Sequence, residues 1–211
     1  MIVKICGVRN LDDALLSCEA GADMLGFNFY PPSPRYIDPL DCATITAGVR
    51  RNFPSVRLVG VFVNVAANDI RAVLDRCGLD LAQLHGDEPP ALQLALGGRA
   101  FKALRPANSE ALRLSLGIHP LPERPPCFLI DAHQPGKFGG TGQAADWSMA
   151  AELAARYPIL LAGGLNTENV SAAISQVHPW GVDTASGVEN APGHKDPQKI
   201  IAFIQAAKKA G

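Results

Sequence analysis

Short apolar runs alternate with longer amphipathic stretches from one end of this chain to the other. Eight runs read as strands: Ile2–Ile5, Asp23–Phe27, Leu58–Val63, Leu79–Leu84, Ala100–Leu104, Phe128–Asp131, Ile159–Ala162 and Gly181–Thr184. Several are continuously apolar, the pattern of strands covered on both faces. The stretches between them repeat apolar residues at helical spacing. Leu11, Ala14, Leu15 and Cys18 fall at i, i+3, i+4 and i+7, and so do Ile70, Val73, Leu74 and Cys77. The same spacing returns at Val170, Ala173, Ile174 and Val177, and at Ile200, Phe203, Ile204 and Ala207. Asn10, Asn68, Asn166 and the pair Asp196-Pro197 supply start signals. Fainter helical patterns over 39–50, 89–97, 109–117 and 146–156 complete the alternation, with Asp38-Pro39 and Asp146-Trp147 as entries.

Strands that alternate with helices imply a parallel sheet. The evenness of the alternation favours closure into a (β/α)8 barrel over an open, doubly wound sheet. The 211 residues lie near the lower limit of about 200 for such a barrel. No linker or low-complexity stretch divides them, so one domain is expected across 1–211. Hydrophobic content is 47% but aromatic content only 6%, which calls for an aliphatic core. Two proline-rich patches read as loops. Tyr30–Pro34 follows the second strand on the functional face, and Pro120–Pro126 follows the fifth helix on the opposite face.

Charge and cysteine usage exclude several classes. The formal net charge is −1, and no basic stripe suggests nucleic acid. The apolar runs are too short to span a bilayer. Met1 runs directly into a strand-like segment, which leaves no room for a secretory signal. The five cysteines (Cys6, Cys18, Cys42, Cys77 and Cys127) are odd in number and lack C-x-x-C spacing, against a disulfide framework or zinc site. A reducing cytoplasm is the expected compartment. Monomer and homodimer stay equally open.

Active sites of these barrels lie at the C-terminal ends of the strands. Cys6, Asn28, Asn64, His85, Arg105 and Asp131 each follow an apolar run there. Cys6 precedes Gly7, and Lys4 two residues earlier shares its strand face. A nearby ammonium favours a thiolate, so Cys6 reads either as a general base or nucleophile, or as a buried small hydrophobe. Cys18, Cys42, Cys77 and Cys127 read as structural. Asp131 closes the run Cys127-Phe128-Leu129-Ile130-Asp131, where a carboxyl is expensive to bury without a role or partner. It reads either as a general acid or as a loop-capping carboxylate. Arg35, in the stiff loop Pro32-Ser33-Pro34-Arg35-Tyr36, reads either as a solvated loop arginine or as a planar fork that suits a carboxylate. His85 reads as an acid/base group or, preferably, a satisfied polar group of the barrel mouth.

Three glycine clusters follow the last strands: Gly139-Gly140-Thr141-Gly142, Ala162-Gly163-Gly164 and Ala185-Ser186-Gly187. Glycine lets backbone N–H groups approach an anion closely. Loops after the seventh and eighth barrel strands often bind phosphate. Gly140, Gly142, Gly163, Gly164, Ser186 and Gly187 are therefore candidate ligands of a phosphorylated small molecule.

Taken in order, Lys4-Ile5-Cys6-Gly7, Gly26-Phe27-Asn28-Phe29, Ser33-Pro34-Arg35, Gln83-Leu84-His85-Gly86, Leu129-Ile130-Asp131, Phe138-Gly139-Gly140-Thr141-Gly142, Ala162-Gly163-Gly164-Leu165 and Ser186-Gly187-Val188-Glu189 resemble the phosphoribosylanthranilate isomerase family of tryptophan biosynthesis. The resemblance spans Lys4 to about Asp196. It implies a cofactor-free, metal-free Amadori rearrangement. Asp131 would be the general acid, Cys6 the general base and Arg35 the ligand of the anthranilate carboxylate, with the glycine clusters on the phosphate. Family members carry a hydroxyl or amide where Ala185 stands, so one side-chain donor to the phosphate is absent. Other phosphate-binding barrels compete. A sugar-phosphate epimerase needs a metal-binding set of His and Asp that is not evident. The related isomerase of histidine synthesis uses two aspartates, and a barrel that had lost catalysis need not keep both Cys6 and Asp131.

Overall fold

The computed structural model describes residues 1–131 and 146–211. Eight parallel strands, β1 (Ile2–Cys6), β2 (Met24–Asn28), β3 (Arg57–Phe62), β4 (Leu81–Leu84), β5 (Ala100–Leu104), β6 (Phe128–Ile130), β7 (Ile159–Leu161) and β8 (Gly181–Thr184), form a closed barrel in chain order. Closure comes from β1 pairing with β8, in a register that sets Lys4 opposite Asp183. Eight α-helices follow: α1 (Leu11–Glu19), α2 (Pro39–Asn52), α3 (Ala67–Arg76), α4 (Pro90–Leu96), α5 (Ser109–Ile118), α6 (Trp147–Ala154), α7 (Val170–Val177) and α8 (Pro197–Ala210). The fold is the (β/α)8 barrel that the alternation predicts. Behind β8 come a short 3-10 turn (Ser186–Val188) and a two-stranded hairpin, β9 (Glu189–Ala191) with β10 (His194–Lys195).

The two-residue period of the strands sorts their side chains. Met24, Val59, Phe101, Leu129 and Leu160 pack together inside the barrel, while their neighbours Leu25, Leu58, Ala100, Phe128 and Ile159 pack outward against the helices. The inward parity, followed towards the C-terminal rim, reaches Cys6, Asn28, Gln83, Asp131 and Asp183, all of which line one cleft. Strand length and parity together thus lift a polar ring onto an apolar floor.

Most helix entries are as expected. Asn10 accepts from the Asp13 N–H at 2.8 Å, Asp38 from Leu40 at 2.8 Å, and Asp196 from Gln198 at 2.9 Å. Asn68 is different. The cap of α3 is Ala66, with no side-chain bond, and Asn68 sits inside the first turn, accepting from Arg71 Nη1. Asn166 caps one turn early, accepting from the N–H groups of Glu168 and Asn169, and α7 proper begins at Val170. The Pro120–Pro126 loop lies on the face opposite the cleft, where Arg57 at the start of β3 donates to the Pro125 carbonyl at 2.7 Å. Among the described residues no helix is long and apolar enough to cross a membrane.

Candidate active site

Cys6 ends β1, and the chain leaves the strand through Gly7 at φ +75°. The Gly7 and Val8 N–H groups both bind the Gly26 carbonyl, at 2.8 and 3.1 Å. Gly26 is small for a reason. A Cβ there would lie 2.7 Å from Cys6 Sγ and 3.1 Å from Lys4 Nζ. The thiol and the ammonium therefore crowd the same point. Lys4, 0% exposed, donates to Asp183 Oδ1 at 2.8 Å. Burial pulls its ammonium down, but the Asp183 carboxylate and Cys6 outweigh this and hold it above its usual value.

The adjacent ammonium leads one to expect a lowered thiol pKa at Cys6, and the structure corrects this. Burial pushes the Cys6 thiol up, with the Lys4 and Lys195 charges pulling the other way and Asp183 reinforcing the rise. Desolvation penalises the thiolate more than the two cations favour it. The other four thiols are buried and unpaired as disulfides. Burial pushes Cys18 up to about 11, with Glu19 adding to the rise, which fits a structural thiol.

Across the barrel, Asp131 follows β6, its N–H bound to the Leu104 carbonyl at 3.0 Å. Its Oδ2 lies 3.1 Å from His85 Nε2, and His85 Nδ1 lies 2.7 Å from Gln83 Nε2. With the Gln83 amide donating, Nδ1 accepts and Nε2–H donates to Asp131. His85 is the satisfied polar group anticipated from the sequence, and its partner is the candidate acid.

Asn28 organises the loop after β2. It accepts from the Tyr30 N–H at 2.8 Å and donates to Ser33 Oγ at 3.3 Å, and Ser33 Oγ in turn accepts from the Arg35 N–H at 3.1 Å. Arg35 thereby reaches the cleft, packed so closely over Gly7 that a Cβ there would lie 2.6 Å from Arg35 Cδ. The fork is already half engaged: Nε and Nη2 donate to Glu189 at 2.8 and 2.7 Å.

Two of the three glycine clusters lie within the described residues. Gly163 and Gly164, at φ +83° and +64°, line the cleft together with Ser186. Gly187 is not on the wall. A Cβ there would come within 1.9 Å of the Leu165 carbonyl oxygen, so this glycine lets the loops after β7 and β8 close against each other. Thr184 Oγ1 ties the same carbonyl at 2.7 Å. Gly140 and Gly142 fall outside the described residues.

The cleft holds about 710 Å³ of empty space, open solvent at its mouth included. Asp183 and Thr184 line it and were not singled out in the sequence, nor were Glu189 and Lys195 assigned roles. One signal was present: Lys4 and Asp183 each put a charge inside an otherwise apolar strand.

The chain matches the family model described as N-(5'-phosphoribosyl)anthranilate (PRA) isomerase over residues 3–206. It is 46% identical over 207 residues to the N-(5'-phosphoribosyl)anthranilate isomerase of Pelobacter propionicus, covering 98% of this chain and 95% of that one. The Roseiflexus enzyme of the same name is 50% identical over 213 residues, covering 99% and 98%. The crystal structure of the Thermotoga maritima phosphoribosyl anthranilate isomerase superposes with a TM-score of 0.87 at 40% identity, covering 99% of this chain and 100% of that one. A phosphoribosyl anthranilate isomerase solved in complex with reduced 1-(o-carboxyphenylamino)-1-deoxyribulose 5-phosphate gives 0.84 at 40% identity, with the same coverage. A barrel with a thiol, a carboxyl and glycine-rich loops on one rim thus belongs to the N-(5'-phosphoribosyl)anthranilate isomerase family, and the chain is an isomerase.

Proposed function

We propose that this isomerase converts N-(5-phosphoribosyl)anthranilate into 1-(2-carboxyphenylamino)-1-deoxyribulose 5-phosphate, with Asp131 as general acid and Cys6 as general base. The observation that supports the reading is that both groups, one at the end of β1 and one at the end of β6, line the cleft that Gly163, Gly164 and Ser186 also line. The Asp131 proton passes to the ribose ring oxygen as the C1–O bond breaks, leaving an iminium between C1 and the anthranilate nitrogen. The Cys6 thiolate removes the C2 proton, and that electron pair forms C1=C2 while neutralising the nitrogen. The enolamine then ketonises to the ketose. Proton transfer by each positioned group is worth about 10²–10⁴-fold.

The Lys4 and Lys195 charges supply the pull towards thiolate that this step needs, against burial. Gly163, Gly164 and Ser186 hold the phosphate through backbone N–H groups. Arg35 takes the anthranilate carboxylate on the guanidinium edge that Glu189 leaves open. The substrate is a small phosphorylated molecule, and the compartment we propose is the cytoplasm.

The test is continuous fluorescence on the purified protein. Anthranilate emission should decay with time as substrate rearranges, in a metal-free buffer. Emission that stays level with that of an enzyme-free control would refute the assignment.

A further inference from the structure

The segment Ser186-Gly187-Val188-Glu189 ends on a carboxylate that the acid/base pair does not use. Glu189 opens β9, and the hairpin register sets Lys195 of β10 directly opposite it. Three bonds converge on this one side chain. Oε1 accepts from Arg35 Nε at 2.8 Å and Lys195 Nζ at 2.9 Å, and Oε2 accepts from Arg35 Nη2 at 2.7 Å. Lys195 Nζ also donates to the Ala185 carbonyl at 2.9 Å, and Lys199 Nζ to the Glu189 carbonyl at 2.8 Å.

The hairpin also touches the loop that carries Arg35. Its turn residue Gly193, at φ +81°, would place a Cβ 2.5 Å from the Pro34 carbonyl oxygen. The hairpin therefore braces the arginine loop at two points, through the tip and through Glu189.

The charge balance is uneven. Arg35, Glu189 and Lys195 are all buried, and two cations share one anion. Burial would raise the Glu189 carboxyl, but the Arg35 bonds and the Lys195 charge hold it below the usual carboxylate range. Burial pulls the Lys195 ammonium below its ordinary value against the support of Glu189. A buried excess charge is costly unless it finds a counter-ion. Of the three, Arg35 alone lines the cleft.

We propose that Glu189 is a positioning residue for substrate recognition. It fixes the Arg35 fork with one edge turned to the cleft, where the substrate's aromatic carboxylate binds. The proposal rests on the assignment of Arg35 to that carboxylate.

Glu189→Gln keeps the shape, but it replaces one carboxylate oxygen with an amide donor facing the guanidinium. KM for N-(5-phosphoribosyl)anthranilate should rise about tenfold, the scale of one lost charge-assisted bond. kcat should stay within about threefold, as for lost binding that ground and transition states share. A substrate carrying aniline in place of anthranilate has no carboxylate to misplace, and its kcat/KM should change less than about twofold. Glu189→Asp, which keeps the charge, should fall between wild type and Glu189→Gln, and it carries the same comparison if the amide variant does not fold by circular dichroism. Equal losses on both substrates would mean a purely structural role and overturn the proposal. So would an unchanged KM in Glu189→Gln beside a raised KM in Arg35→Ala. An unchanged KM in Arg35→Ala would instead sink the assignment of Arg35 itself.

Discussion

Cys6→Ser and Asp131→Asn should each lower kcat by about 10³-fold or more, the upper part of the range for a positioned acid or base, while the barrel stays folded. Serine keeps the size of the side chain but holds its proton far above neutrality, so no base faces C2. Asparagine keeps the hydrogen-bonding shape of Asp131 beside His85 Nε2 but has no proton to give the ring oxygen. Neither change opens a cavity, because each replacement is isosteric to within an atom. In the proposed sequence Cys6 and Asp131 serve successive steps of one reaction, so the double variant should be little worse than either single one. The measurement is the rate of fluorescence loss, alongside far-ultraviolet circular dichroism. Activity near wild type in either variant would remove that residue from the mechanism.

Lys4→Met should cost about 3–5 kcal/mol, the penalty for leaving one partner of a buried ion pair alone. Lys4 is wholly buried and the Asp183 side chain is 9% exposed, so water does little for the orphaned carboxylate. The pair also bridges β1 and β8, the seam at which the barrel closes. At about 2–4 °C per kcal/mol for a chain of this size, the midpoint of thermal unfolding should fall by roughly 6–20 °C. Lys4→Met combined with Asp183→Leu should recover much of the loss, since no unpaired charge remains. The single variant should also react more slowly at a given pH. Removing a cation that opposes the burial-driven rise moves the Cys6 thiol higher still, so the ascending limb of kcat/KM shifts to higher pH. A midpoint equal to that of wild type would show that the pair carries no net stability.

The barrel was legible because strands buried on both faces must be written as continuous apolar runs, and the helix stripes alternate with them without a break. That Cys6, Asp131 and Arg35 would line the cleft was legible for a related reason, since they are reactive groups that follow apolar runs or stiff loops. What escaped was long-range. Lys4 and Asp183 are 179 positions apart, and Arg35 and Glu189 are 154 apart, and only barrel closure and the hairpin bring them together. The thiol's shift escaped too, because the sequence displays the neighbouring ammonium but not the desolvation that outweighs it. Gly187 reads like its neighbours in the Ser-Gly motif, yet its missing Cβ serves the packing of two loops. Asn68 carries the chemistry of a cap two positions too late, at a residue already inside the helix.

The most direct test is a crystal structure of this protein with a reduced, unreactive analogue of the ketose product. One thiol and one carboxyl group are predicted to bracket the bound sugar, Cys6 Sγ within about 3.5 Å of C2 as near-attack geometry requires. The Asp131 carboxyl should lie within about 3.2 Å of the oxygen that had closed the ring. A sugar bound with its phosphate away from Gly163, Gly164 and Ser186, or with either side chain out of reach of those atoms, would contradict the account.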